Sequence, residues 1–163
     1  MIGHAQVLFA GGDPAGAETC ARHAIELRPD HAATYGILAK SLAQQGKLGE
    51  AWAAAVDSVV RDPDEFDDFT AVAGFIIEPL GLDTALELAD RSVRANPELA
   101  VLRVWLAALC VQGEDYDRAR AEFDTVLAGD PAQAVCGLAV QCLDLCERPA
   151  ELADLHTAFS AAG

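Results

Sequence analysis

Small and apolar residues recur along this chain at helical spacing, inside blocks of about a dozen residues that each end at a proline. AETCARHAIELRP runs up to Pro29, AWAAAVDSVVRDP to Pro63, ALELADRSVRANP to Pro97 and ARAEFDTVLAGDP to Pro131. The four prolines stand 34 residues apart, and so do the alanines that open the blocks, Ala17, Ala51, Ala85 and Ala119. One turn on, Ala21, Ala55, Ala89 and Phe123 hold equivalent places, followed by Ala24, Ser58, Ser92 and Val126. Proline disfavours helical geometry in the residue before it, so each block is predicted as a helix stopped by its proline.

A second helix is predicted upstream of each block. Ala5, Ala39, Ala73 and Ala107 keep the same interval, each with a larger residue three positions on: Leu8, Leu42, Ile76 and Cys110. Breakers separate the two helices: GGDP at 11–14, QGK at 45–47, EPLG at 78–81 and QGED at 112–115. Each unit therefore reads as helix, tight turn, helix and proline turn. The units run over about 1–31, 32–65, 66–99 and 100–133, with a degenerate fifth or capping unit over 134–163, in one domain. In that fifth unit Ala153 keeps the interval, but Gln141 and Asp144 stand where a small and a large apolar residue are expected. Unit one starts late, which predicts a short first helix. Packed helices lie roughly 8–10 Å apart according to the side chains between them, so a recurring small residue sets one repeated distance. The fold expected is all-α, about ten helices in antiparallel pairs.

This pattern resembles the tetratricopeptide repeat, which runs W-x2-L-G-x2-Y, then A-x3-F, then P, over 34 residues. Unit two carries it as Tyr35, Leu38, Ala39, Leu42, Ala51, Ala55 and Pro63. Unit four carries it as Leu106, Ala107, Cys110, Tyr116, Ala119, Phe123 and Pro131. The resemblance covers residues 1 to about 131. It implies a right-handed α-solenoid whose first helices line a concave groove, and a protein that binds other polypeptides and catalyses nothing. Helical spacing then assigns to the groove Gln6, Phe9, Ile37, Lys40, Gln44, Asp67, Thr70, Ile77 and Glu78. Val101, Val104, Trp105, Ala108 and Val111 continue the lining, followed by Leu138 and Cys142. VLRVWLAALCV has a single charge, Arg103, and a helix apolar nearly all round needs cover on every side. Trp105 is the expected anchor, because aromatics carry much of the energy at interfaces. Family members that hold a carboxylate-terminal peptide use a clamp of Lys, Arg and Asn. Here Lys40 is the only cation assigned to the groove, so an apolar or amphipathic segment is expected there instead. The closing PAELADLHTAFSAAG puts Leu152, Leu155 and Phe159 on one face, which reads as a capping helix or, alternatively, as the seam of a homodimer.

Charge narrows the partners. A formal net charge of −15 argues against nucleic acid and against an anionic membrane, and favours a partner with a basic segment. The same charge keeps an apolar-rich chain soluble. No uncharged stretch approaches the ~18–20 apolar residues that span a bilayer. MIGHAQVLFAGGD lacks a basic n-region and a full h-region, and five cysteines form no spaced framework. A cytoplasmic protein with free thiols is expected.

Chemistry is sparse. GGDPAG at 11–16 has no Lys-Ser/Thr after it and no strand before it, so it reads as a turn. Cys136, Cys142 and Cys146 share one predicted helix and suggest an alternative role as a metal or redox sensor. Against it, a tetrahedral site wants four ligands and Cys-x3-Cys has no partner pair. His4, His23, His31 and His156 are scattered. DPDEFDD at 62–68 concentrates acid where a helix amino terminus favours it. No catalytic, cofactor or metal residue is expected.

Overall fold

The protein is described by a computed structural model over residues 2–64, 66–146 and 150–163. Among those residues the chain forms ten α-helices and no strand. They are α1 (Ile2–Ala10), α2 (Pro14–Leu27), α3 (Ala32–Gln44), α4 (Leu48–Arg61) and α5 (Asp67–Leu80). The chain continues with α6 (Leu82–Ala95), α7 (Ala100–Gln112), α8 (Tyr116–Ala128), α9 (Gln133–Leu145) and α10 (Ala153–Ala162). A single 3-10 turn, Ala150–Leu152, leads into α10. The first helix is indeed short, 9 residues against 14 in α2. No helix among the described residues is long and apolar enough to cross a membrane.

The turns follow from the residues in them. Pro14 opens α2, where its missing N–H has no intrahelical partner to lose, and Asp13 caps it by accepting from the Gly16 N–H at 2.9 Å. Three turns within helix pairs share one geometry. The N–H groups of Asp13, Lys47 and Asp115 donate to the carbonyls of Leu8, Leu42 and Cys110 at 2.9, 3.0 and 2.9 Å. The residue before each donor is left-handed: Gly12 (φ 79°), Gly46 (φ 73°) and Glu114 (φ 59°). The turn at EPLG departs from this pattern. There α5 continues through Pro79 to Leu80, and only Gly81 breaks it, at φ 78° and ψ 150°. Proline's fixed φ suits the last turn of a helix at the cost of one N–H bond, whereas Gly81 adopts a conformation essentially closed to other residues.

The helices gather into two compact units, Met1–Leu80 and Gly81–Gly163. In unit 1, α3 packs on α2, α4 and α5; in unit 2, α7 packs on α6, α8 and α9. The recurring alanines lie where helices touch. Ala5, Ala17, Ala39, Ala51, Ala73, Ala107 and Ala119 are wholly buried, and Ala85 nearly so. Larger residues fill the gaps left between them. Trp52 meets Phe69 edge-on at 5.5 Å where α4 reaches α5, and Phe123 meets Phe159 at 5.6 Å where α8 reaches α10.

The last helix pair corrects one expectation about register. Ala153, which kept the interval, is exposed, and Gln141 and Asp144 face solvent. The buried small residue is Ala139, followed three positions on by Cys142. The pattern has slipped by two positions, so the fifth unit has its small and large apolar residues after all. Leu152, Leu155 and Phe159 are buried in unit 2, where α10 packs on α8 and α9. That face of α10 is spent inside the unit.

Candidate functional site

In unit 1 the first helices of the repeats surround a small apolar cavity of about 180 Å³. Its lining is Phe9 from α1, Lys40, Ala43 and Gln44 from α3, and Ala71, Val72 and Phe75 from α5. The spacing explains the convergence: 40, 43 and 44 share one face of α3, as 71, 72 and 75 share one face of α5. Phe75 is 59% exposed, a large apolar side chain left open to solvent. Lys40 Nζ donates to Asp68 Oδ1 at 2.8 Å, which holds the ammonium beside the cavity. Gly36 makes that ion pair possible. A Cβ at Gly36 would lie 2.0 Å from Asp68 Oδ2, so only glycine lets the first turn of α5 close this tightly on α3.

Of the residues assigned to the groove from the sequence, Phe9, Lys40 and Gln44 line this cavity together. Gln6 and Glu78 are exposed, and Thr70 and Ile77 are half-buried on α5. Asp67 lies instead beside a second, polar cavity of about 470 Å³ with Asp30, His31, Arg61, Asp62 and Asp68. Glu65 of the acidic stretch lies outside the described residues. Ile37 is buried. In unit 2, Val101, Val104, Ala108 and Val111 are buried in α7, and Leu138 and Cys142 are buried in α9. Trp105 is half-buried. The cover that an all-apolar α7 requires comes from α6, α8 and α9.

Sequence reasoning missed Phe75. One repeat earlier its place is held by Ser41, which is wholly buried, so repeat alignment marks position 75 as core. Its signal was local: 75 follows Ala71 and Val72 by four and three residues, the spacing of one face.

The thiols sit in apolar surroundings. Burial pushes the Cys110 thiol up to about 11 and that of Cys142 to about 12, and raises Cys146 as well. At neutral pH these sulfurs are protonated, the unreactive form. Among the described residues no group of three His, Cys, Asp or Glu side chains is arranged to hold a metal.

Ion pairs tie the helices of each unit together, across neighbouring repeats and within one. Glu18 accepts from Lys47 Nζ at 2.8 Å, Gln45 Nε2 at 2.8 Å and Arg22 Nε at 2.9 Å. In unit 2, Arg118 reaches Asp90 at 2.5 Å and Arg103 reaches Glu122 at 2.7 Å.

Comparison of the sequence with curated proteins gives no significant match. Solved structures do match across nearly the whole length. The crystal structure of MamA is 14% identical, with a TM-score of 0.52 over 97% of this chain and 93% of that one. YrrB, described as a TPR protein with an unusual peptide-binding site, is 17% identical, with a TM-score of 0.50 over 99% of this chain and 84% of that one. At such identities the likeness speaks for the fold alone. The sequence model of the tetratricopeptide repeat matches residues 2–66 and 81–134. Helix pairs at a constant interval, buried alanines where they touch and a family model that matches most of the sequence lead to one conclusion: the chain belongs to the tetratricopeptide-repeat family.

Proposed function

We propose that the protein is a non-catalytic scaffold that binds a segment of another polypeptide along the first helices of its repeats. The family's fold supports a role in protein–protein interaction. The observation that carries the finer reading is the cavity of unit 1, apolar on its floor and flanked by the solvent-exposed ring of Phe75. An apolar side chain of an amphipathic segment fits there, with Gln44 and the paired Lys40 available to its polar neighbours. The excess of acid over base along the chain favours a segment that also carries Lys or Arg. Five free cysteines suit a reducing compartment, so we assign the protein to the cytoplasm.

A pull-down with the full chain as bait tests this, run beside Phe75→Ala and Ala71→Glu. The expected result is one partner recovered by the parent and lost from both variants, with unchanged thermal unfolding. Equal recovery on all three baits refutes the assignment.

A further inference from the structure

α5 carries two residues that weaken a helix, and both lie on its solvent face beside the Phe75 cavity. Asp67, Ala71, Gly74 and Glu78 follow one another at helical spacing, so they form one strip along α5, and all four are exposed. Phe75 stands at the edge of this strip, open to solvent. Gly74 sits mid-helix, where glycine loses more chain entropy than alanine, and nothing lies within 4 Å of the place its Cβ would take. Packing inside the molecule does not call for glycine there. Glu78 lies in the last turn of α5, at the negative end of the helix dipole, where a carboxylate is disfavoured and a base preferred. Among the described residues neither Asp67 nor Glu78 is held in an ion pair. Positions that break a local rule with no gain inside the fold are where function is expected.

Size and chemistry limit what the neighbouring cavity takes. At about 180 Å³ it is smaller than the roughly 300–1,000 Å³ of a small-molecule site, so it suits a single side chain. Its polar groups are Gln44 and Lys40, and Lys40 already donates to Asp68. An extended segment laid over Phe9, Ala43, Ala71 and Phe75 would bury backbone N–H and C=O groups with one side-chain amide to meet them. A helix brings its own hydrogen bonds. Helix axes approach to roughly 8–10 Å according to the side chains between them, and an exposed glycine allows the near end of that range.

We infer that the occupant is an amphipathic helix of the partner, lying along α5 and crossing closest at Gly74. The inference rests on the reading that the partner binds at the Phe75 cavity. One large apolar side chain of that helix enters the cavity, a small residue faces Gly74, and Lys or Arg side chains towards its ends meet Glu78 and Asp67. Those two carboxylates are eleven residues apart, a rise of about 16 Å that the partner's bases must match.

The test uses the full chain and a fluorescein-labelled, alanine-based helical peptide with a central glycine, a phenylalanine beside it and lysines eleven positions apart. One control peptide has glutamate for lysine, and another carries a proline pair that breaks the helix. Anisotropy is read at about 0.15 M salt, where attraction beyond ~8 Å is screened. Gly74→Leu should weaken binding of the lysine peptide about tenfold or more, and Glu78→Lys about threefold or more. Both variants should melt no lower than the parent, because each removes a local cost, so lost binding is not lost fold. A lower melting temperature in either gives that residue a structural role and overturns the proposal. Parent-like binding by either variant, or equal binding of the glutamate peptide, overturns it as well. Equal binding of the proline peptide, with loss on Phe75→Ala, overturns the helix while upholding the Phe75 site. No binding of any peptide also overturns the helix, and loss of the pull-down partner on Phe75→Ala then upholds the site alone. A parent chain that sediments as a dimer parted by Gly74→Leu gives the strip to a second copy and overturns the proposal.

Discussion

At the residue scale, two glycines of unit 1 show how neighbours decide what a side chain costs. Gly74 lies exposed in the middle of α5 with nothing near its missing Cβ. Gly36 faces Asp68, whose Oδ2, Cγ and Cβ would stand 2.0, 2.8 and 2.9 Å from an added methyl. The carboxylate could swing aside, but the Cβ belongs to the base of its side chain and moves only with α5. Gly74→Ala should therefore stabilise by about 0.5–1 kcal/mol through reduced chain entropy. Gly36→Ala should destabilise by about 1–3 kcal/mol, as overpacking does, and release Lys40. Urea unfolding of the two variants checks the opposite signs. Had sequence been the only guide, both would have been ordinary helical glycines expected to gain from alanine.

At the element scale, Glu18 joins α2 to the turn between α3 and α4. Hydrogen bonds from Lys47 and then Arg22 hold its carboxyl down to about 2, below its ordinary 4.5. The folded value lies below the unfolded one, so this stabilisation is complete above 4.5 and is lost as pH falls towards 2. Glu18→Gln should cost about 1 kcal/mol at neutral pH, the upper range for a networked surface pair. The gap between parent and variant should close as the pH approaches 2; an unchanged gap there would mean that packing, not charge, carries the effect. The same scale shows the limits of the repeat. Pattern alone located α1 to α8 and the turns between most of them, because proline and glycine act locally. It misjudged EPLG, since Pro79 is tolerated in a last turn. It also missed the two-residue slip in α9, because register there is decided by what α7 and α10 present to it.

At the scale of the whole molecule, the formal charge of −15 is the dominant long-range term. Local ion pairs neutralise part of it, but acids outnumber bases throughout. Self-repulsion destabilises a compact state and is screened by salt, from a Debye length of ~30 Å at 0.01 M to ~3 Å at 1 M. The melting temperature should accordingly rise with potassium chloride over that range. A fall would show that pairs such as Arg103–Glu122 outweigh the repulsion, and calorimetry distinguishes the two.

The order of helices, the small residues between them and the family were all legible in the amino-acid order, because a 34-residue interval and helical spacing are one-dimensional properties of a chain. Which apolar residues stay open to solvent was not. Val104 and Phe75 have the same apolar character on paper, yet one is wholly buried and the other open to solvent. Exposure belongs to a residue's neighbours in space, and those neighbours come from helices many residues away, so only the packed molecule could decide it.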